Sequence, residues 1–565
     1  MPISRPLPWE KSYPPGVLWD VPIEIGTLPQ LLARAVARYD AKPAFEYREQ
    51  KISYAEFGRR VEAFAAGLLR LGIAKGDRVA LYLPNCPAQP VSLFAVAEIG
   101  GIVVNLSPLD AERELAHKLK DSGARTLVST NIGPMAAVAL KIRAAGLVDR
   151  VIIADDAVWG ASPATAPMPP LGDGVLSFDE IASAAPPAAP PGAWPEVVPD
   201  DVILLQYTGG TTGLPKGAIL SHANLMAAVE IGKAWSIPQA TMQPGEGRII
   251  CVLPLFHMYA ITACLTRGLD YGNEILLRLR FDVEQTLRDI TEKKATGFAG
   301  VPTMWIAIAN HPGVEKLDFS SLKGIYSGGA PVPIEIENRI KAITGLQLGG
   351  GWGMTETAPT GANIPTTRPD LRGSIGLPLP GILMDVVALD DPRRVLPPGE
   401  TGEIRIKGPN VTRGYWNRPE ETAAAFVDGY LLTGDIGYMD DEGFFFLTDR
   451  KKDMIISGGF NVYPRMIEEA IYEHGNVEEV IVIGIPDTYR GQAAKAFVKL
   501  KVGAAPFTLE ALREFLADKI GRHELPAALE FRESLPKTAV GKLSKKELVA
   551  EEAARRAAAA EPAST

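Results

Sequence analysis

Residues 207–217 read YTGGTTGLPKG, and residues 201–206 before them read DVILLQ. The first string is a Gly/Thr loop and the second a buried strand. After the loop, AILSHANLMAAVE reads as a short strand running into a helix. A glycine-rich loop leaving a strand suits phosphate binding. Glycine lets the backbone come close and turn with φ > 0, so amides can point at oxygens. Thr208, Thr211 and Thr212 add hydroxyl donors and Lys216 adds charge. A P-loop of the Walker type is rejected by the spacing. That motif needs Gly-Lys-Ser/Thr opening a helix, whereas here Pro215 precedes Lys216 and Gly217 follows it.

Outward from the loop, strand-like runs alternate with helical patterns. RVALYLPN (78–85), TLVST (126–130) and RVIIAD (150–155) read as strands, and 54–71 has a helical period. This alternation predicts a layered α/β fold. With 565 residues the chain is too long for one core. A boundary is expected at TDRKKD (448–453), giving a large layered α/β N-terminal domain over 1–450 and a small α+β C-terminal domain over 451–565. In the latter we expect helices at 463–474 and 508–520 and strands at 477–485 and 494–500. The Pro/Ala-rich stretch 161–199 is expected to be an irregular crossing, and the tail EEAARRAAAAEPAST a fraying helix or disordered.

Net charge is −9, which argues against a nucleic-acid partner. A small anionic substrate stays compatible, because a site can be locally positive on an acidic protein. Cys86, Cys251 and Cys264 have no metal-like spacing and fit buried thiols in a reducing cytoplasm. The apolar window 90–106 is broken by Glu98 and Gly100-Gly101, so it reads as helix then strand and not as a membrane span.

The loop 207–217, together with LPLFHMYA (253–260), YSGGAPVP (326–333), GWGMTET (351–357), 430–453, IISGGFNVYP (455–464) and LPKTAVGKLSKKEL (535–548), resembles the adenylate-forming superfamily. The likeness runs from about residue 30 to 548. DGYLLTGDIGYMDDEGFFFLTDRKKDMI resembles its fatty acyl-CoA ligase branch, in which bacterial enzymes take medium- and long-chain acids and dicarboxylic acids such as pimelate.

The resemblance implies ATP, Mg²⁺ and coenzyme A. It implies that Thr208, Gly209, Gly210, Thr211, Thr212, Gly213 and Lys216 hold phosphate. Gly329, Ala330 and Pro331 would wrap the adenine, with Gly351, Trp352, Gly353, Met354 and Thr355 continuing that wall. Trp352 would lie against the base and Thr355 would donate to the AMP phosphate. Glu356 and Thr208 would serve Mg²⁺, a hard-oxygen cation. Asp435 and Arg450 would grip the ribose, Lys452 would be the hinge, and Gly458 and Gly459 would let pantetheine approach. Lys542, His257 and Thr208 make up the implied catalytic set: His257 at the mouth of the acid pocket, Lys542 stabilising charge as a carboxylate attacks the α-phosphate. Lys542 is also an acetylation target in the family, and acetylation by a lysine acetyltransferase would remove its charge.

Taken singly, these residues have plainer readings. His257 would be a core histidine, Glu356 a solvated loop acid, Asp435 a turn residue, and Lys537, Lys542, Lys545 and Lys546 a basic solvated face. Four functional alternatives stand beside a fatty acid ligase: an aryl-CoA ligase of the coumarate or benzoate type, an adenylation enzyme serving a carrier protein, a luciferase-like oxygenase, and a non-catalytic binding protein, the last disfavoured because Glu356, Asp435, Arg450 and Lys542 occur together. The carrier-protein reading is disfavoured because His257 stands where an ammonium-binding Asp is usual. Ile261 and Gly491-Gln492 depart from the branch, at a position where some long-chain members carry a gating tryptophan and at one where Gly-Glu is frequent. A dicarboxylate would want a cation deep in the pocket, with Arg267, Arg278 and Arg280 as candidates. Homodimers are common in the family, and peripheral membrane contact stays open.

Overall fold

The computed structural model describes residues 6–183, 194–208, 215–239, 244–329, 332, 334–368, 371, 373–457, 460–487, 490–538 and 541–560. Side chains in the last helix are described as far as Arg555. The backbone divides into two units. The first comprises 1–372, 376–383 and 407–429, and the second 373–375, 384–406 and 430–565.

In the first unit, the strands Arg78–Tyr82, Ile102–Leu106, Thr126–Thr130, Arg150–Ala154 and Val202–Thr208 belong to one seven-stranded sheet. Their pairings are parallel, with Val79 opposite Val103 and Val103 opposite Leu204. Buried on both faces, they are near-continuous apolar runs, as parallel strands with covered faces must be. Lys216–Ser221 closes one edge by pairing antiparallel with Val202–Thr208. A second set of parallel strands, in the order Gly349–Trp352, Gly324–Ser327, Gly297–Gly300, Arg248–Cys251, Glu274–Leu277 and Pro43–Tyr47, belongs to another sheet.

Helix Tyr54–Arg70 starts where Ser53 Oγ accepts from Glu56 N at 3.1 Å, one of the orphan donors every helix start must satisfy. Beside it, helix Ala88–Glu98 is buried from Ala88 through Ala97, which explains its apolar composition on all sides. Phe57 stands between Phe45 and Phe94 with edge-on ring contacts at 4.9 and 5.7 Å. The apolar window is therefore a buried helix followed by the strand Ile102–Leu106. Among the described residues no helix is long and apolar enough to cross a membrane.

In the second unit, Gly402–Lys407, Tyr430–Met439 and Phe445–Arg450 pair antiparallel with one another. Val477–Asp487 and Gly491–Leu500 form a long antiparallel pair, extended by the parallel strand Ala528–Phe531 and by Ile455–Ser457 with Phe460–Val462. Helices Pro464–Tyr472, Leu509–Leu516 and Lys545–Ala560 belong to the same unit. The large layered N-terminal part and the small α+β C-terminal part match the expectation. The compact division, however, takes 430–450 and 384–406 with the C-terminal residues.

Two local expectations are corrected. The stretch 161–199 is not wholly irregular: it holds the strand Val175–Ser177 and the helix Phe178–Ser183, the strand pairing parallel with Arg150–Ala154. The second C-terminal strand starts at Gly491, where φ is +80°, rather than at 494. The tail EEAARRAAAAEPAST is helical as far as Ala560, in the helix Lys545–Ala560, within the expectation.

Candidate active site

Four of the expected site segments of the first unit follow the carboxyl ends of parallel strands, which is where open α/β sheets place their ligands. Val202–Thr208 ends on Thr208. Arg248–Cys251 leads to 253–257, Gly324–Ser327 to Gly328 and Gly329, and Gly349–Trp352 to 353–356.

The strands that flank the loop expected to hold phosphate are paired up to its two ends. Tyr207 lies opposite Gly217 and Thr208 opposite Lys216, and Thr208 Oγ1 donates to Lys216 O at 3.4 Å. Tyr207 Oη donates to Asp121 Oδ2 at 2.8 Å. Gly209, Gly210, Thr211, Thr212 and Gly213 lie outside the described residues, as do Ala330, Pro331, Gly458 and Gly459. Gly329 has φ +87°, a conformation that glycine adopts without penalty. Gly458 and Gly459 fall between the paired strands Ile455–Ser457 and Phe460–Val462.

Glu356 is buried, at 6% exposure, so it is not a solvated loop acid. Tyr415 Oη donates to its Oε1 at 2.9 Å. Lys216 Nζ in turn stands 5.4 Å from the centre of the Tyr415 ring. The lysine at the exit of the expected phosphate loop and the expected metal carboxylate are thus joined through one phenol. Burial, with Glu356 next to it, raises the Tyr415 pKa, so the hydroxyl keeps its proton and donates. Tyr415 was not singled out from the sequence, since GYWNRPE carries no motif.

The turn holding Thr355 and Glu356 is held by neutral hydrogen bonds. Asn410, wholly buried, donates through Nδ2 to Thr357 O and Thr360 O, both at 2.6 Å. Thr412 N donates to Glu356 O at 2.7 Å. Met354 N donates to Thr357 Oγ1 at 3.0 Å. Gly353 must be glycine, because a Cβ there would lie 2.4 Å from the Pro359 carbonyl. Gly351 is nearly as tight, 2.9 Å from Ala362 O, and Gly361 leaves room for the Trp352 ring. Ala358 follows with φ +47°, a left-handed residue without glycine's freedom, and its carbonyl accepts from Thr262 Oγ1 at 3.0 Å.

His257 caps the turn Met258–Ala260, its Nδ1 accepting from Tyr259 N at 3.2 Å. When neutral, its proton is therefore on Nε2. The loop before it is pinned by buried amides that sequence reading passed over. Asn85 donates to Leu253 O at 2.9 Å and accepts from Leu255 N at 2.7 Å. Gln89 donates to Leu255 O at 3.1 Å and Gln206 to Phe256 O at 3.0 Å. Their only sequence signal is a polar side chain inside an apolar run, the mark of a buried group that must find a partner. Ile261 is fully buried and opens a π-helical turn, Ile261–Thr266, a form often found at functional sites.

Of the three arginines proposed for a second carboxylate, two are engaged elsewhere and the third is exposed. Arg278 is buried and bound by Asp289 at 2.7 Å and Glu46 at 2.6 Å. Arg267 donates to Ser236 Oγ at 3.1 Å, and Arg280 is exposed. All three cysteines are buried and unbridged, and burial pushes the Cys86 thiol up to about 12.

In the second unit Asp435 and Arg450 face each other across two strands, with Arg450 Nε 2.6 Å from Asp435 Oδ1. Asp435 is buried, so it is not an exposed turn residue. Burial, followed by the Arg450 cation, holds the Lys542 ammonium down to about 8. Burial also lowers the pKa of Lys452. Lys542 sits in a tight loop, with Thr538 N donating to its carbonyl at 2.7 Å and its own N donating to Thr538 Oγ1 at 3.2 Å.

Comparison with known proteins agrees with this geometry. The AMP-binding enzyme family model matches residues 32–416, and the AMP-binding enzyme C-terminal domain model matches 466–542. The chain belongs to the AMP-binding enzymes. A long-chain-fatty-acid–CoA ligase of Bacillus subtilis is 38% identical over 96% of this chain and 98% of its own. A feruloyl-CoA synthase of Amycolatopsis is 36% identical over 88% of this chain and 93% of its own. Among solved structures, ATP-bound MatB from Rhodopseudomonas palustris superposes with a TM-score of 0.80 at 28% identity, covering 92% of this chain and 98% of that one. This AMP-binding enzyme is an acyl-CoA ligase of the AMP-forming type, with ATP and coenzyme A as substrates.

Proposed function

We propose that this ligase activates medium- to long-chain fatty acids, through an acyl-AMP intermediate, and that the residues named above carry the reaction. The observation that bears most weight is the Lys216–Tyr415–Glu356 chain. It sets a buried carboxylate beside the exit of a phosphate-type loop. The 38% identity to a long-chain-fatty-acid–CoA ligase over nearly the whole chain supports the acid class.

In the first half-reaction the carboxylate attacks the ATP α-phosphate and pyrophosphate leaves. The loop 209–213, Thr208 and Lys216 hold the phosphates, Trp352 packs against the adenine, and Thr355 donates to the α-phosphate. Asp435 accepts the ribose hydroxyls with Arg450 beside it. His257 orients the carboxylate through Nε2–H, and Lys542 stabilises the charge developing on the phosphoryl oxygens. Glu356 and Thr208 fit Mg²⁺. Among the described residues no group of three or more His, Cys, Asp or Glu is placed to hold a metal, and Mg²⁺ is commonly held by one or two carboxylates with phosphate and water oxygens. Its chemistry would be to neutralise phosphate charge. In the second half-reaction 451–565 rotate about Lys452, Lys542 withdraws, and the hairpin bearing Gly458 and Gly459 admits the CoA thiol, which displaces AMP. With Arg278 bound by two carboxylates and Arg280 exposed, a monocarboxylic acid fits better than a dicarboxylic one.

The feruloyl-CoA synthase likeness favours one second reading, an aryl acid. AMP release with ATP, Mg²⁺ and CoA, measured across fatty acids, medium-chain dicarboxylates, benzoates and cinnamates, decides between them. Turnover on aliphatic monoacids is expected, and turnover confined to cinnamates would overturn the proposal.

A further inference from the structure

Lys545 does not behave as the solvated surface lysine its sequence suggests. It is the first residue of the helix Lys545–Ala560, and its ammonium lies 3.1 Å from Glu468 Oε1, with side chains of 19% and 16% exposure. The charges of Asp449 and Asp453 also act on it. This is an unfavourable place for a cation. A helix N-terminus repels positive charge, and removing an ammonium from water is costly unless it is paired. The three carboxylates offset both costs.

Two of those carboxylates are themselves fixed. Glu468 Oε1 accepts from Val482 N at 2.7 Å, so it joins helix Pro464–Tyr472 to the long strand Val477–Asp487. Asp449 Oδ2 accepts from Arg465 N at 2.8 Å. Tyr463 gives that helix no side-chain cap and Pro464 has no N–H to donate, so Asp449 caps it from another strand.

The loop carrying Lys542 is closed on itself. Ser544 N donates to Pro536 O at 2.8 Å, Gly541 N to Thr538 O at 2.9 Å, and Gly541 turns with φ +80°. A rigid loop places its tip only as well as its base is anchored. Leu535, Leu543 and Leu548 pack with Ile481, Ile483 and Phe497, but apolar contact is not directional. The directional ties are Lys537 to Glu479 at 2.6 Å on one limb and Lys545 to Glu468 on the other.

We infer that Lys545, held by Glu468 beside Asp449 and Asp453, is a positioning residue that sets where Lys542 stands during acyl-adenylate formation. The inference rests on the assignment of Lys542 made above. It separates two lysines three residues apart: one acts on the substrate, and the other is buried so that the first is held in place. Displacing a catalytic group by about 1 Å can cost on the order of 10²-fold in rate, whereas a group absent from the second half-reaction costs that step nothing.

The test uses the full-length enzyme with decanoate and measures the half-reactions apart: pyrophosphate release without CoA, and decanoyl-CoA formation from supplied decanoyl-AMP. Lys545→Met and Glu468→Gln are each expected to slow pyrophosphate release about tenfold or more while changing thioester formation less than about twofold. Lys545→Arg restores most of the loss, since it keeps the charge. In the Lys542→Ala background, Lys545→Met adds no further loss, because its effect passes through Lys542. Equal loss in both half-reactions, or additive loss in the double variant, would overturn the inference. Should Lys545→Met lower the melting temperature sharply, Glu468→Gln and Lys545→Arg decide by the same criteria. If Lys542→Ala alone spares pyrophosphate release, the assignment of Lys542 fails instead, an outcome read from a different variant.

Discussion

The two loops that bear the opposite charges of the proposed chemistry are held in opposite ways. The Glu356 turn of the first unit is held by neutral donors: Tyr415, Asn410, the Thr412 amide. The Lys542 loop of the second unit is tied through ion pairs, Lys545 with Glu468 and Lys537 with Glu479. Neutral hydrogen bonds to buried backbone have a fixed direction, and leaving one unmade costs the whole desolvation of the orphaned group. Hydrogen-bonded ion pairs are directional too, but they hold only while both partners keep their charge, so the Lys542 loop answers to charge and pH where the Glu356 turn does not.

The strongest way to break this contrast is Lys542→Ala. It is expected to lower pyrophosphate release by about 10²–10³-fold, the usual cost of one preorganised charge-stabilising donor, and to spare thioester formation from supplied acyl-AMP. Rapid-quench assays of the two steps measure this, and equal losses would mean that the division of labour is wrong.

On the neutral side, Asn85→Ala strands the Leu253 carbonyl and the Leu255 amide together. A stability loss of about 2–3 kcal/mol is expected in urea unfolding. A loss under about 0.5 kcal/mol would show that the 253–257 loop is held by packing alone.

Tyr415→Phe removes one hydrogen bond from the Glu356 carboxylate and leaves the ring over Lys216. The Mg²⁺ concentration for half-maximal pyrophosphate release should rise about tenfold, within the range seen when a ligand's own hydrogen-bond partner is lost. An unchanged Mg²⁺ dependence would remove Glu356 from the metal site.

The charged side sharpens with pH. Lys542 has its ammonium held down to about 8, so the charged form that adenylation needs is lost as pH rises through 8. Pyrophosphate release should fall about tenfold per pH unit above that point, since each pH unit is a tenfold change in charged fraction. The linked stability runs the other way. The folded state binds fewer protons than the unfolded one between about 8 and the ordinary lysine value, so Lys542 makes stability rise with pH across that window. Lys542→Arg, which stays charged, should lack the alkaline fall. The smallest effect is expected from Arg280→Ala. Exposed and distant in role, it should leave KM for decanoate and for a medium-chain dicarboxylate within about twofold, as exposed substitutions away from special features usually do.

The sequence was most legible where chemistry forces a residue type. The glycines at 351 and 353 are needed because a Cβ would meet carbonyl oxygens, and the strands Arg78–Tyr82 and Arg150–Ala154 are apolar after their first residue because both faces are covered. It was least legible where a residue acts on its neighbours rather than on a ligand. Asn85, Gln89 and Asn410 have no fixed offset from the loops they hold, because their partners lie far away in sequence. Tyr415 stands 59 residues from the glutamate it bonds. Lys545 was grouped with solvated lysines because charge alone does not reveal burial. The three-residue strand Val175–Ser177 is too short to show an alternation of its own, and its pairing with Arg150–Ala154 is what makes it a strand.

Ala358, the left-handed alanine after Glu356, has a consequence for engineering. The conformation costs a non-glycine residue roughly 1–2 kcal/mol, so a campaign that selects only for heat resistance would be drawn to Ala358→Gly. The same change would let the backbone around Met354 and Pro359 sample other shapes, at the point where the Thr262 hydroxyl now grips the 358 carbonyl. Variants recovered that way should be screened for turnover as well as for melting, because this position couples thermal robustness to the geometry of the proposed metal site.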